Sequence, residues 1–359
     1  MVDEIHIKPF FDYKGGNITG AAHNSKEPAN SALVFMVQSL AGTFKEVAHI
    51  VPVRGADGEF LHTLLRDVIC GLEKIGYKII CVVTDNNKVN GKAMAKFKPS
   101  ASCAPAGTSN FVYPHPCDPQ RPLFRVLDTV RLLKCIRNNW INQKNHQRCF
   151  SFPEFDTEGG GRMLSASFET LREAYDLEIG QLLRFAYTLS RKSLFPSATE
   201  RQNVKLALQI FNDTLSPALR AIAGKHSLGH VEGTSTFIDI VVKWWKIVNL
   251  KTSHKGQRLR DNLQEPLFPM NDPKVHFLYK VLDWLDEGKA RTNSYNSGKL
   301  TADTHGALHQ TTSGLIEVAR YCFKELNLSH VLLEKFRWMA SKTASASTGS
   351  SLEDSTTSL

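Results

Sequence analysis

The apolar residues of this chain change their period once, and that change limits what it can fold into. Up to Val83 they come in short strand-like runs around a single helical segment; beyond the segment Lys96 to Asn110 they recur mostly at helical spacing. Val2 to Ile7 alternates, with Val2, Glu4 and His6 on one face and Asp3, Ile5 and Ile7 on the other. Phe10 to Gly20 carries Gly-Gly turn chemistry, and Ser31 to Leu40 and Glu46 to Val53 are two further apolar strands about a glycine-containing turn, as in a meander. Glu59 to Ile75 spaces Phe60, Leu61, Leu64, Leu65, Val68, Ile69 and Leu72 as a helix does, and Gly76 stops it. Tyr77 to Val83 is a near-continuous apolar strand that delivers Asp85 at its C-terminal end.

The segment Lys96 to Asn110 is rich in Pro, Ser, Ala and Gly and reads as a linker. Past it, the spacing predicts helices over Leu123 to Trp140, Ser167 to Ser190, Glu200 to Ala223, Thr234 to Val248, Val275 to Leu285 and Thr301 to Leu326, with one short strand at Cys149 to Phe152. Ser197 and Glu200 have capping-box spacing. Met339 to Leu359 has no aromatic residue and is dominated by Ser, Thr and Ala, the composition of a disordered tail.

A chain of 359 residues with 42% hydrophobic content can bury real cores. Its net charge of +9 suits a polyanionic partner, yet solubility alone needs a charge of this order. No run reaches the roughly 18 to 20 apolar residues of a membrane span, and no signal peptide is legible, so neither membrane insertion nor secretion is expected. Seven cysteines, an odd number without a C-x-x-C pair, argue for a reducing compartment and against a zinc finger.

Asp3, near the start of the first strand, and Asp85, just past the fourth, are the residues with most chemical interest. In an RNase H-like sheet the first and fourth strands are neighbours, so the two carboxylates would meet and could hold divalent cations for phosphodiester chemistry. The plainer alternative is that Asp85 caps the next helix and Asp3 is solvated. Glu158-Gly-Gly-Gly-Arg162 lacks the Lys-Ser/Thr of a phosphate-binding loop and reads as a turn. Lys134, Arg137 and Lys144 with Trp140, and Lys243, Trp244, Trp245 and Lys246 with Lys251, Lys255, Arg258 and Arg260, could bind nucleic acid, although the tryptophans fall near apolar stripes and suit a core better. The 13 histidines show no zinc-ligand spacing.

The segments VDEIHIKPFFDYKGGNITG, VVTDNNKVN, LDTVRLLKCIRNNWINQ, LFPSATERQNVKLALQIFN and FIDIVVKWWKIVN occur in an order that resembles the P-element-type DNA transposases, including the THAP-domain transposase relatives, from Val2 to Phe336. The resemblance implies an α/β plus α fold: an RNase H-like mixed sheet, incomplete here, interrupted by a large, mostly α-helical GTP-binding-type insertion domain. Residues 1–110 would form the first part of the catalytic core, 111–326 the insertion, 327–336 the start of the second core part, and 337–359 a tail. It further implies Asp3 and Asp85 as the first two catalytic acids and ligands of Mg²⁺ or Mn²⁺, GTP as an assembly cofactor, transposon-end DNA as partner, a homo-oligomer or full-length transposase as companion, and a nuclear location, or a cytoplasmic one without import.

Three departures from that pattern stand in the sequence. The THAP domain and coiled coil that usually precede the first strand are absent, Arg131 stands in LDTVRLLK where the family usually has His, and the third acid is missing. In the family that acid, a Glu, follows the segment resembling HVLLEKF in a motif of the form Q-x-D-x-L-E-x-x-F-G. One back-translation of Phe336 to Glu353, with a single base restored after the first codon, reads FQMDGLEDRFGQYRQLSG, so the tail is expected to be out of frame. Glu317, in TSGLIEVARYCF, is the nearest substitute, but it reads more simply as a polar-face residue. The expected function is therefore that of a P-element-like transposase without cleavage activity; the alternative is a non-catalytic GTP- or DNA-binding protein of transposase descent.

Overall fold

The computed structural model describes residues 1–98, 110–155, 161–269, 271–291 and 298–337. The expected tail, most of the Lys96 to Asn110 linker and most of the Glu158-Gly-Gly-Gly-Arg162 turn lie outside them.

Strand β1 (Val2–His6) is followed by the hairpin β2 (Asp12–Lys14) and β3 (Asn17–Thr19), then β4 (Ser31–Gln38) and β5 (Lys45–Val53). Gly15 and Gly16 turn the hairpin at φ +57° and +84°, a conformation that side chains with a Cβ rarely adopt. β1 pairs antiparallel with β4, and β4 antiparallel with β5. Helix α1 (Gly58–Lys74) opens on Asp57, whose carboxylate accepts the Phe60 amide at 2.8 Å, and ends before Gly76 at φ +99°. After it come β6 (Cys81–Thr84) and α2 (Lys88–Ala95), then β7 (Val112–His115) and β8 (Asp118–Leu127). β6 and β8 run parallel, β7 and β8 antiparallel, and β1 lies beside β6, so the strands succeed one another as β5, β4, β1, β6, β8, β7. This is a mixed α/β arrangement.

Here the structure differs from the periodicity. Leu123 to Leu127 is strand, and helix α3 (Thr129–Ile141) begins only after Asp128. Leu123, Phe124, Val126 and Leu127 are all buried because β8 is covered on both faces, and a short all-apolar run of that kind is hard to tell from a buried helix. The sheet therefore continues past the boundary expected at residue 110. One face packs on α1, with Val2, Leu33, Phe35, Val82 and Leu123 against Leu61, Leu65 and Ile69. Val83, Phe124 and Val126 on the other face belong to a larger core, to which α3 and α11 (Ala302–Lys324) contribute.

The helical body begins with the hairpin β9 (Cys149–Pro153) and β10 (Met163–Ser167), of which only the first strand was legible. Helix α4 (Phe168–Glu178) stops well short of Ser190: the buried Glu178 carboxylate accepts the amides of Phe185 and Ala186 at 2.7 and 2.8 Å, folding the following loop back on the helix. The capping-box bonds between Ser197 and Glu200 form, but they open only a short 3₁₀ turn, and the stretch to Ala223 is broken into pieces. The remaining helices are α5 (Arg191–Leu194), α6 (Val204–Leu208), α7 (Leu215–Ala223), α8 (Val231–Val248), α9 (Lys255–Leu259) and α10 (Pro273–Arg291). Trp140 lies at the centre, its ring centroid 4.9 to 6.3 Å from those of Phe150, Phe168, Phe211 and Phe237, and its indole N–H donates to Ala166 O at 3.0 Å. No helix among the described residues is long and apolar enough to cross a membrane.

Candidate acidic site

Asp3 lies on β1, and Asp85 follows β6 directly, so the adjacency of these two strands brings both acids to one end of the seam between them. They line a cleft of about 190 Å³ together with Glu4, His6, Asn90 and Arg131. The side chains of Asp3 and Asp85 are mostly covered, at 21% and 14% exposure, and Arg131 is half exposed.

Arg131 reaches both acids. One guanidinium nitrogen lies 2.6 Å from an Asp85 carboxylate oxygen and another 3.6 Å from Asp3 Oδ1. Its position is set by Asp128, which caps the N-terminus of α3: the two carboxylate oxygens accept the amides of Val130 and Arg131, each at 3.3 Å. Asp85 also accepts from the Asn87 amide at 3.0 Å and from the Asn90 side chain, but the residue that caps α2 is Asn87, whose side chain accepts the Val89 amide at 2.8 Å. Glu4 turns instead to the Ser31 hydroxyl, at 2.6 Å.

Burial raises the carboxyl pKa of Asp3 above its ordinary value; Arg131 and the Glu4 amide pull it down, and the charges of Asp85 and Asp128 push it up again. Asp128 is also raised, mainly by burial, against the pull of the two amides it caps and of Arg131 and Arg337. Arg125, buried under the site with Nε 3.4 Å from Thr84 Oγ1, feels the attraction of Asp85. Three carboxylates and three guanidinium groups thus interact around this cleft.

Residues 1–98 match the family model described as TNP-like, RNase H N-terminal domain. The transposable element P transposase of Drosophila melanogaster is 24% identical over 255 residues, 70% of this chain and 30% of that protein. In three dimensions the chain is similar to a chain of the Drosophila P element transposase strand transfer complex, with a TM-score of 0.72 and 18% identity over 94% of this chain and 67% of that one. In fold the chain is like a P element transposase, and its first 98 residues match an RNase H-type N-terminal domain. It spans less than a third of the length of the curated transposase that it matches.

Mg²⁺ or Mn²⁺ is the ion expected at this pair, and the donors can be judged against it. Two carboxylates are the hard oxygen ligands that Mg²⁺ or Mn²⁺ takes. Yet among the described residues no group of three His, Cys, Asp or Glu side chains is arranged to hold a metal ion, and a guanidinium lies against both acids. As they stand, the residues do not fit a two-metal centre. Glu317 does not join them; it pairs with Arg320 at 2.6 Å.

Neither basic-aromatic stretch is a base-stacking surface. Trp140, Trp244 and Trp245 are buried, Arg137 is buried with a nitrogen 2.5 Å from Arg201 O, and Lys246 is held by Asp213 and Asp261 at 2.6 and 2.9 Å. Arg131 was legible only as a departure from a motif. Nothing in the sequence pattern placed its guanidinium on both acids, because that depends on the β1–β6 adjacency and on where Asp128 starts α3.

Proposed function

We propose that this chain is a transposase-derived DNA-binding protein that keeps the family's first two acids, Asp3 and Asp85, without a metal centre competent to cut DNA. The observation that carries this reading is the Arg131 guanidinium set against both acids, on a fold like that of a P-element transposase over 94% of the chain. The positive balance of +9 supports a phosphate-rich partner, with transposon-end DNA the class expected from kinship. A nuclear location and assembly with itself or with a full-length transposase belong to the same proposal.

DNA binding is tested by fluorescence anisotropy with duplexes carrying candidate transposon ends, across a salt series. Neutralised phosphates release counterions, so affinity should fall linearly with salt on logarithmic axes. Strand transfer in Mg²⁺ or Mn²⁺ should be equally at background for the wild type and Asp85→Ala; activity lost only in the variant would reject the non-cutting part. GTP binding is the further proposal. A cleft of about 250 Å³ between β9 and α10, lined by Phe152, Trp284, Lys289 and Lys299, offers apolar walls for a base and two cations for phosphates. GTP at about 100 times its Kd should add about 2.7 kcal/mol of stability. No rise in melting temperature at millimolar GTP would remove it.

A further inference from the structure

We infer that Arg131 is the resident cation of the acid pair: its guanidinium occupies the position between Asp3 and Asp85 that a divalent ion would need, and it keeps the unsubstituted protein from binding one there. The inference rests on the reading of Asp3 and Asp85 as the inherited acid pair, and not on DNA binding. Two largely covered carboxylates in one cleft repel each other, and a positive charge against them offsets that repulsion. A metal ion would do so through short oxygen contacts; here one guanidinium N–H donates to Asp85 at 2.6 Å while another nitrogen forms an ion pair with Asp3 at 3.6 Å. The guanidinium is held in register from both ends. Its own backbone amide is bound by Asp128, and Asp85 is fixed in turn by the Asn87 amide and the Asn90 side chain. An arriving cation would have to displace a permanently charged group that cannot shed its proton at any physiological pH.

Arg121 and Arg162 also each reach two carboxylates, but in neither case do the two acids come from neighbouring strands of the sheet. Lys246 lies between Asp213 and Asp261, but neither carboxylate follows a strand of the sheet. At the seam, the acids come from neighbouring strands and the arginine from the helix that follows β8, so one substitution in α3 changes the charge of the cleft and leaves both acids in place. Glutamine is a good helix former, and Arg131 is half exposed, so Arg131→Gln removes the cation and preserves α3.

The test is Mn²⁺ binding, read by calorimetry and by melting temperature, in the wild type, R131Q, R131K and the double variant R131Q/D85N. Wild type and R131K should show no saturable Mn²⁺ binding at this cleft. R131Q should bind Mn²⁺ saturably and should melt higher in its presence. The double variant should lose both effects. Mn²⁺ binding by the wild type that Asp85→Asn abolishes would overturn the inference without any Arg131 variant. So would a folded R131Q indifferent to Mn²⁺. If R131Q is unfolded without metal, recovery of its helical circular dichroism on adding Mn²⁺ supports the inference, and failure to recover overturns it. DNA anisotropy on the same samples separates this outcome from failure of the DNA-binding proposal.

Discussion

Replacing Gly233 with alanine sets helix propensity against packing, and the structure decides which should win. Gly233 lies in the first turn of α8, where an added Cβ would fall 2.3 Å from Ser165 O, 2.7 Å from its carbonyl carbon and 2.9 Å from its amide nitrogen. All three are main-chain atoms of β10, which is paired with β9 from Met163–Pro153 to Ser167–Cys149 and must shift as a strand. Alanine gains about 1 kcal/mol of helix propensity. Overpacking costs about 1–3 kcal/mol, and separating α8 from β10 weakens the 3.0 Å bond from the Ser167 amide to Thr234 Oγ1, worth about 1 kcal/mol. The balance is a loss of about 2 kcal/mol, a fall in melting midpoint of roughly 3 °C for a cooperative unit of this size. Gly306 in α11 is the internal control: nothing lies within 4 Å of its added Cβ, so Gly306→Ala should gain up to about 1 kcal/mol. Thermal and urea melts followed by far-ultraviolet circular dichroism measure both. A Gly233→Ala protein as stable as the wild type, beside a stabilised Gly306→Ala, would refute the close approach of α8 to β10.

Three further outcomes are expected. The Cys70 and Cys117 sulfurs lie 2.9 Å apart, so a mild thiol oxidant should remove two free thiols by joining α1 to the β7–β8 turn, and Cys117→Ser should abolish the crosslink seen by peptide mass mapping. Asp128 has its folded pKa raised above the ordinary 3.8, so its ionisation favours the unfolded chain. Its favourable term is present below that value and is lost as pH rises through the folded pKa; Asp128→Asn, which can still cap α3, should therefore gain stability relative to wild type as pH rises from 4. That difference is read from paired melts, and a pH-independent difference would contradict it. Removal of the buried Glu178 carboxylate strands the amides of Phe185 and Ala186, so Glu178→Ala should cost about 2–4 kcal/mol, with faster hydrogen exchange from residue 185 to 186 as the local signature.

The strand-rich opening of the chain was legible because its elements are local: alternation in β1, the Gly15-Gly16 turn and the single amphipathic face of α1 each declare themselves within a few residues. β8 was hidden because burial on both faces erases alternation, and β10 because its five-residue run Met163–Ser167 is held by pairing with β9 and by the Thr234 hydroxyl of α8, which a local pattern does not show. The overlong helix past Glu178 had the right spacing, but a spacing pattern does not show that one carboxylate will take two amides and reverse the chain. Asp3 and Asp85 could be named from strand ends alone. Arg131 on top of them could not, since its reach depends on a helix start set by one aspartate and on two strands that meet across most of the intervening sequence.

The core beneath β8 also bears on how the chain acquires its structure during synthesis. Phe124 and Val126 share it with Leu315 and Val318 of α11, close to two hundred residues later, and Phe124 lies 5.5 Å from the ring of Tyr321. A nascent chain that has emerged only through β8 carries six strands' worth of pairing with one apolar face still open to water. Such a face cannot close until the whole helical body has been made and α11 returns to the sheet, an order that favours slow completion and contact with chaperones. The portion matched in sequence, residues 1–98, thus leaves out β7 and β8 of the sheet and the helix α11 that covers its second face.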